Sequence, residues 1–492
     1  MPLIPFGEYR PDVSDYEAAT QRGIMNAVPR GDGYGPFPSL SAISASLGEQ
    51  ARGGFAAYKS DGSVVVFAAT ATDLFRLDNT AFTWAKVSKA GGPYPAIPQQ
   101  DQWGFIQFNN LVVAVQANVV PQVFDISTSS AFADLAGNPP QARYAGVVGR
   151  FVVLTGLLTN PNRAQWSGLN DVNGPNSWTP GINSSDYQDF PDGGFCRGVA
   201  GGETGVILQD TIIRRMIYLP GDPRVFQIEK IAEELGIYGP LSLVRSGSTV
   251  YFYSLKGFHR VDPGGTPVAI GRERVDRTFF TDLDASAPQM FMGRTDPRSS
   301  RVIWVYKSVN GVANQFDKAL IYDPALDRFA PARFSGEYLS QISQPGITLE
   351  ALGSLFPNLD AMTQSLDSFQ GAIVPELSAF DVAHCMAFFR GPNLEATLQT
   401  SELGTDGRRV SEKRGVRPVS DAPTIYASAL RRENLQQVPV ATSESALHPV
   451  SGICNMLLDT RYARIKCRIP AGQSWTFING IEPESYKPTG RR

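Results

Sequence analysis

Short apolar runs of strand type recur along the chain at nearly regular intervals. Six such runs begin 40 to 55 positions apart, at residues 64–69, 111–115, 151–155, 206–208, 250–254 and 302–306. Each run is too short for a buried helix and is rich in β-branched and aromatic residues, so each predicts a strand. A spacing of roughly 40–50 residues is typical of propeller blades and other repeat folds. The repeat therefore predicts an all-β array.

The segments around these runs repeat as well. Turn sequences such as Ser60-Asp61-Gly62 and Asn109-Asn110 stand before two of the runs and predict hairpins. Further strand segments follow the runs at 74–78, 122–126, 215–219, 257–262 and 319–323, and fourth strands are predicted at 82–84, 177–179, 225–227 and 328–330. Four strands in each of six units predict a six-bladed β-propeller, with blades near 52–88, 102–137, 142–182, 195–232, 240–271 and 288–334. A two-sheet sandwich array is the alternative.

Three regions are predicted along the chain. Residues 1–48 carry clustered Pro and Gly without a sustained period, which predicts an extended arm. The propeller is assigned to 49–404, with an interruption at 336–370 where apolar residues of 346–369 recur at helical spacing. The strand spacing changes after that, so residues 405–492 predict a separate C-terminal β domain. The strands of 371–404 either complete the sixth blade or begin a seventh, and a short connecting helix is predicted at 227–235.

Charge and cysteine content exclude several classes of protein. The formal net charge is −3, which excludes a strongly basic nucleic-acid binder, although residues 405–492 carry 14 Lys and Arg against 8 Asp and Glu. Four cysteines are too few for a disulfide scaffold. A hairpin around Asp459 would place Cys454 opposite Cys467, and two free thiols are favoured there over a disulfide. The first residues lack a secretory pattern and no apolar stretch reaches ~18 residues, so we expect neither secretion nor a membrane span.

Motifs of nucleophilic, nucleotide and zinc chemistry are missing from the sequence. It contains no Gly-x-Ser-x-Gly elbow and no Gly-Lys pair, which excludes an α/β-hydrolase elbow and a P-loop. His259, His384 and His448 have no metal-ligand spacing. His384 and Cys385 are adjacent, but neighbours in a strand point to opposite faces, so a catalytic dyad is disfavoured.

Two other patterns have structural interpretations. Asp282, Asp284 and Ser286 resemble the start of a calcium loop, but Ala287 replaces the glycine and no closing Glu follows, so we predict a helix or turn boundary. Basic pairs occur at 408–409, 413–414, 431–432 and 491–492, and such charges are more often a solvated face or a contact with an acidic protein. We therefore predict no catalytic, cofactor-binding or metal-binding residues, no cofactor, and a protein that is not an enzyme.

Four stretches of sequence resemble one known family. Three of them are residues 236–254, 257–262 and 270–280, which contain in order a Gly-Pro before a strand, a hairpin, a closing strand and an Asp-Arg turn. The fourth is residues 461–475 near the C-terminus. In this order they resemble the tail hub, or nozzle, proteins of short-tailed bacteriophages, also called tail-stabilization proteins. The resemblance covers about a quarter of the chain, and its motifs reflect the pattern of strands and turns more than any chemistry.

The resemblance implies a structural protein of the virion tail, assembled in the host cytoplasm. It implies a homohexameric ring that continues the DNA channel below the portal and its adaptor and takes part in genome retention and ejection. The implied partners are further copies of the chain, the head-to-tail adaptor, tail spikes or fibres, and genomic DNA that passes without sequence-specific binding. Docking candidates are the N-terminal arm and the segment 346–369. The alternatives are a propeller-type enzyme or glycan-binding module, and a receptor-binding tail spike, against which the blade-like period speaks.

Overall fold

The structure is a computed structural model that describes residues 3–14, 16, 20–99, 101–343, 375–404, 408–485 and 487–491. The described residues are almost entirely β, with one α-helix, α1, at Asp276–Asp282 and a single 3-10 turn at Pro240–Ser242. The all-β prediction is therefore confirmed. The predicted helical segment 346–369 lies outside the described residues.

Seven antiparallel sheets of four strands make up the larger part of the chain. Six of them follow one another in sequence. Sheet 1 contains β7 (Gly53–Tyr58), β8 (Val64–Ala69), β9 (Leu74–Leu77) and β10 (Trp84–Lys86); sheet 2 contains β11 (Gly104–Phe108), β12 (Leu111–Gln116), β13 (Val119–Asp125) and β14 (Ala133–Asp134); sheet 3 contains β15 (Ala142–Val148), β16 (Phe151–Leu157), β17 (Arg163–Trp166) and β18 (Asp186–Asp189). Sheet 4 contains β19 (Cys196–Ala200), β20 (Thr204–Gln209), β21 (Ile212–Tyr218) and β22 (Phe226–Glu233); sheet 5 contains β23 (Val244–Ser246), β24 (Thr249–Ser254), β25 (Gly257–Val261) and β26 (Pro267–Ala269); sheet 6 contains β27 (Phe291–Thr295), β28 (Val302–Tyr306), β29 (Phe316–Asp323) and β30 (Arg328–Gly336).

The seventh sheet joins two distant parts of the chain. Its first three strands are β31 (Tyr338–Ile342), β32 (Glu376–Phe380) and β33 (Cys385–Phe388), and its fourth is β6 (Ser41–Ser46). β6 runs antiparallel to β33, with Ala42 opposite Ala387. The sequence predicted six units of four strands, whereas the described residues form seven such sheets, because a strand from the predicted N-terminal arm completes one more.

The sheets form a ring in which every sheet is covered on both faces. The second strand of each sheet is buried on both sides, as in the wholly buried β8. Val64, Val66 and Ala68 of β8 pack in one core with sheets 6 and 7, whereas Val65 and Phe67 pack in another with sheet 2. Because both faces of the strand meet an apolar neighbour, its sequence is a continuous apolar run. It lacks the alternation of apolar and polar residues that is typical of a half-buried strand. This arrangement is consistent with a β-propeller.

The innermost strands approach one another closely. β7 contacts β11, β11 contacts β15, β15 contacts β19, β23 contacts β27, β27 contacts β31, and β31 contacts β7. Sheets 4 and 5 are joined by a core that includes Leu208 and Phe252. At Gly293 in β27, a Cβ would overlap Val244 Cγ2 and lie 2.6 Å from Trp304 Cδ1. The close approach of neighbouring sheets therefore requires glycine at that position.

The remaining strands form a C-terminal β region. It contains β34 (Ala396–Gln399), β35 (Arg408–Glu412), β36 (Gly415–Ser420), β37 (Tyr426–Arg432), β38 (Val440–Ala441), β39 (Ser445–Ala446), β40 (Cys454–Asn455), β41 (Leu458–Thr460), β42 (Tyr462–Ile469), β43 (Ile478–Pro483) and β44 (Lys487–Arg491). β34 pairs with β42, although it precedes residue 405, where the sequence places the start of this domain. Cys454 and Cys467 are both buried, and their thiols are free.

The N-terminal segment connects the two parts of the molecule. Its strands are β1 (Ile4–Pro5), β2 (Glu8–Tyr9), β3 (Thr20–Gln21), β4 (Ala27–Pro29) and β5 (Tyr34–Pro36). β1 and β5 pair with β43 of the C-terminal region, and Asn26 Nδ2 donates a hydrogen bond to the Glu395 carbonyl. On the other side, Arg274 Nη2 lies 2.5 Å from Glu8 Oε1. Strands β1 to β5 of the segment predicted as an extended arm thus lie between sheet 6 and the C-terminal strands, whereas its last strand, β6, belongs to sheet 7.

Two local predictions were wrong. Residues 227–235 do not form a connecting helix, because Phe226–Glu233 is strand β22 and pairs with β21, which places Phe226 opposite Tyr218. The fourth strand of sheet 3 is not at 177–179 but at Asp186–Asp189. Trp178 lies instead in the connecting loop, where its buried Nε1 donates to the Val172 carbonyl. In both cases apolar side chains that suggested another element pack against neighbouring sheets.

The carboxyl group of Asp276, at the start of α1, predicts a pH dependence of stability. Its side chain lies against Gly257 and Gly271 and accepts a hydrogen bond from the Phe258 amide at 3.1 Å. Burial raises the pKa of Asp276 to about 6 from 3.8. Because the folded-state pKa is the higher one, the contribution of this group to stability is fully present below about pH 4 and is lost as the pH rises through 6.

We therefore expect Asp276→Asn to be more stable than the wild type at pH 7.5 by about 2 kcal/mol, after a discount for partial exposure. At pH 4 the difference should disappear, as measured by urea unfolding. Asp284→Asn is the control of opposite sign, because the Lys307 ammonium at 2.6 Å holds the pKa of Asp284 at about 2. Equal stability of Asp276→Asn and wild type at both pH values would contradict the assignment.

Candidate functional site

A funnel opens at the centre of the ring, on the face where the innermost strands begin. It encloses about 580 Å³. Its wall comes from the residues before β11 and β27, from the starts of β15 and β19, from the β20–β21 and β24–β25 turns, and from the connection between sheets 4 and 5. The centre of such a ring is where side chains from several sheets converge, so it is the place to examine for a binding site.

The funnel continues into a central channel. A second cavity of about 470 Å³ is lined by residues of six of the sheets, among them Phe55, Arg294 and Gln341, and by Leu243 and its neighbours just before sheet 5. Both cavities share five lining residues, which are Gln102, Arg143, Tyr144, Pro240 and Leu241. These shared residues mark the passage between the funnel and the channel.

Two arginine–aspartate pairs stand in the funnel wall. Arg143 Nε lies 3.0 Å from Asp101 Oδ2, and Arg197 Nε lies 2.7 Å from Asp210 Oδ1. Burial raises the pKa of Asp101, although the Arg143 and Arg52 guanidinium groups oppose the shift. The Asp101 carboxylate is therefore partly removed from water, where the attraction between charges is stronger, whereas Arg197 and Asp210 are each about a third exposed.

Tyr144 stands between these pairs. Its ring packs against the position of Gly156, where a Cβ would lie 2.8 Å from Tyr144 Cδ2. Burial raises the pKa of the Tyr144 hydroxyl, Asp101 and Asp210 raise it further, and Arg197 and Arg143 lower it. The phenol therefore stays protonated and is a hydrogen-bond donor at neutral pH.

A buried arginine supports the first pair from behind. Arg52 Nε donates to Gln102 Oε1 at 2.9 Å, and its Nη2 donates to the carbonyl groups of Pro98, Gln99 and Asp101. The guanidinium group thereby ties down the chain that carries Asp101. The second pair is held in a similar way, because Asp210 Oδ2 accepts from the Phe195 amide at 2.8 Å.

Comparisons with known proteins identify no family for this chain. No protein family model and no curated protein matches it. Among solved structures, the extracellular domain of a hybrid two-component system of B. thetaiotaomicron is 10% identical, with a TM-score of 0.41 over 78% of this chain and 44% of that chain. A chain of the mitotic checkpoint complex is 7% identical, with a TM-score of 0.36 over 62% and 83% of the two chains.

YCF48 bound to D1 peptide is 11% identical, with a TM-score of 0.36 over 60% of this chain and 86% of that chain. This chain thus spans less than half the length of the bacterial extracellular domain. At such identities and scores the likenesses carry no argument about function.

The histidines singled out in the sequence have structural partners. His384 Nδ1 lies 2.8 Å from Glu337 Oε2, and Glu337 also accepts from the Ala51 amide. Cys385 Sγ contacts the Ala383 carbonyl at 3.6 Å, and burial raises the pKa of the thiol, so it stays protonated. His259 is buried beside the Gly257 carbonyl, 2.9 Å from its Nδ1, and burial lowers its pKa.

The residues that resembled a calcium loop stand at a helix boundary, as predicted. Asp282 ends α1 and pairs with Lys318, while Asp284 accepts from Ser286 Oγ at 2.6 Å. Over the described part of the chain, no cluster of three or more His, Cys, Asp and Glu side chains is arranged to hold a metal ion. No helix in that part has the length and hydropathy of a membrane span.

Several of the basic pairs are occupied within the chain. Arg432 pairs with Glu402, and Arg409 pairs with Glu433 and Asp459. Residues 413, 414 and 431 are exposed. The structure describes neither the side chains of residues 408 and 491 nor residue 492. Part of the positive charge of residues 405–492 is thus neutralised by ion pairs within the chain.

Sequence reasoning missed the funnel residues entirely. Asp101 and Arg143 are 42 positions apart in the sequence, and no local motif joins them. One signal was present, because Arg143 and Arg197 both lie near the start of the innermost strand of their sheets. A polar residue repeated at that position of successive units points to the central axis of a ring.

Proposed function

We propose that this chain is a structural protein of a bacteriophage virion tail, related to the hub or nozzle proteins that its sequence resembles. In this proposal several copies form a ring that continues the DNA channel below the portal and its adaptor. The ring takes part in genome retention and ejection. The protein acts by assembly and not by catalysis.

One observation carries the proposal. The stretches that resemble the family lie up to about 200 positions apart in sequence, yet they share one hydrophobic core. Tyr253 and Phe258 of sheet 5, Phe279 of α1, and Cys467 and Trp475 of the C-terminal region all belong to it. The resemblance is therefore concentrated in a single packed unit, which supports a common architecture more strongly than four scattered matches would.

The DNA path in this proposal runs between copies of the chain. The central channel of one chain encloses about 470 Å³, which is the volume of a small-molecule site. A DNA duplex, whose major groove alone is ~12 Å wide, does not enter such a space. A channel for DNA therefore needs a ring of subunits, and we propose six of them, with each subunit folded as a seven-bladed propeller closed by β6.

Three parts of the chain are assigned to contacts with the partners. We propose that the N-terminal segment, the region 346–369 and the C-terminal strands contact neighbouring copies, the adaptor and tail spikes or fibres. Among the described side chains of the C-terminal region, Lys413, Arg414 and Arg431 are exposed cations that can make such contacts, whereas Arg409 and Arg432 pair within the chain.

The experiment is to measure the mass of the purified full chain by light scattering and to image assembled particles by electron microscopy. We expect a hexameric ring, or density coaxial with the portal when the chain is incorporated into particles. A persistent monomer that is absent from particles would contradict the proposal. That result would favour the alternative of a propeller-type enzyme or glycan-binding module.

A further inference from the structure

Hydrogen-bond donors without acceptors converge on the funnel. Arg143 and Arg197 each use Nε for their aspartate, and their Nη atoms have no acceptor within the described part of the chain. The Tyr144 hydroxyl and the Lys256 ammonium, both in the funnel wall, likewise have no hydrogen-bond or ion-pair partner there. Lys256 is exposed, whereas Arg143, Tyr144 and Arg197 are half-buried. The half-buried donors need an acceptor, which water or a ligand must supply.

Both aspartates of the same wall already accept hydrogen bonds within the chain. Asp210 accepts through both carboxylate oxygens, from Arg197 Nε and from the Phe195 amide. Asp101 accepts from Arg143, and its carbonyl accepts from Arg52. The half-buried Arg143, Tyr144 and Arg197 donors thus favour a ligand that accepts hydrogen bonds.

The charges in the wall are close to balance. Asp101 and Asp210 offset Arg143 and Arg197, and Glu234 on the rim offsets Lys256. A balanced site with preorganised guanidinium groups suits a singly charged carboxylate, which two Nη donors can hold side by side. A doubly charged phosphate would meet Asp101, Asp210 and Glu234 without enough compensating charge.

One side of the wall is apolar. Leu235, Ile237, Leu241 and Leu255 line the funnel, and Pro288 completes this side. A volume of about 580 Å³ lies within the range of ~300–1,000 Å³ that is usual for small-ligand sites. A ligand that fills it must carry apolar groups beside its charged end.

We propose that the funnel binds a ligand that joins a carboxylate to an apolar segment. The carboxylate accepts from the Nη atoms of Arg143 and Arg197 and from the Tyr144 hydroxyl, and the apolar segment packs on Leu235 and Leu241. The free carboxyl end of a peptide and a small amphipathic acid share this chemistry. This inference is independent of the proposed virion role.

The test is calorimetric titration of the full chain with acetyl-Leu-Leu that has a free carboxylate, with the same peptide as its carboxamide, and with octanoate. We expect the free acid to bind at least tenfold more tightly than the amide, because charge-assisted hydrogen bonds to the guanidinium groups are lost in the amide. Tighter binding of octanoate than of the peptide would assign a small amphipathic acid, and the reverse would assign a peptide end.

Variants separate the named contacts from general effects on folding. Arg197→Gln should weaken binding of the free acid about tenfold and Tyr144→Phe about threefold, while both leave binding of the amide unchanged. Arg163→Gln is the matched control. Arg163 Nε lies 2.7 Å from Asp189 Oδ1 at the outer edge of sheet 3, and neither residue lines the funnel. Equal binding of acid and amide, or no binding of either acid at 10 mM (on the order of the weakest specific sites), would overturn the proposal.

Discussion

Glu402→Gln is expected to lower the free energy of unfolding of the C-terminal β region by about 3–5 kcal/mol, the usual cost of removing one partner from a buried ion pair. The side chain of Glu402 is 1% exposed, and it pairs with Arg432 and Arg464, which are 13% and 14% exposed. Arg432 Nη2 and Arg464 Nε both lie 2.8 Å from Glu402 Oε2. Without the negative charge of the carboxylate, two nearly buried guanidinium groups repel each other, and the amide oxygen of glutamine does not compensate their charge.

The measurement is hydrogen exchange of the amides of β37 and β42, the strands that carry the two arginines, combined with urea unfolding. Local opening of these strands should become easier by the stated free energy. Glu444→Gln is the matched control, because Glu444 pairs with Arg468 at the surface, where it is 37% exposed. Its effect should stay below about 1 kcal/mol. Equal effects of the two substitutions would show that burial of the Glu402 cluster does not matter.

Gly293→Ala is expected to destabilise the ring of sheets by about 3 kcal/mol, at the upper end of overpacking effects. The added methyl group would overlap Val244 Cγ2 of the preceding sheet and lie 2.6 Å from Trp304 Cδ1. Trp304 is itself buried, and its Nε1 donates to the Ser242 carbonyl at 2.9 Å, so the indole side chain has little freedom to move away. The clash must therefore be relieved by separating β23 from β27.

Thermal and urea unfolding of the two glycine variants would measure this effect. Gly31→Ala is the control, because no atom lies within 4 Å of the position of its Cβ. It should be neutral or slightly stabilising, since alanine reduces the entropy of the unfolded chain. A Gly293→Ala protein as stable as Gly31→Ala would show that neighbouring sheets are farther apart than described.

Local sequence was sufficient for the strands and their repeat. The runs at 64–69 and 302–306 were predicted with the bounds that the structure shows. These predictions succeed because the length and β-branched content of a buried strand are properties of a few consecutive residues. The four-stranded grouping follows from turn sequences that are equally local.

Tertiary structure alone decided how the repeat closes and where a site forms. The sequence of β6, Ser41–Ser46, has no apolar alternation, so nothing local indicated that it would complete a sheet with β33. The pairing of Asp101 with Arg143 and the meeting of Glu402 with Arg432 and Arg464 join residues 30 to 62 positions apart. Such partners are chosen by the closure of the chain in space. Their identity is therefore set by long-range packing, whereas periodicity and turn chemistry determine only the elements that are packed.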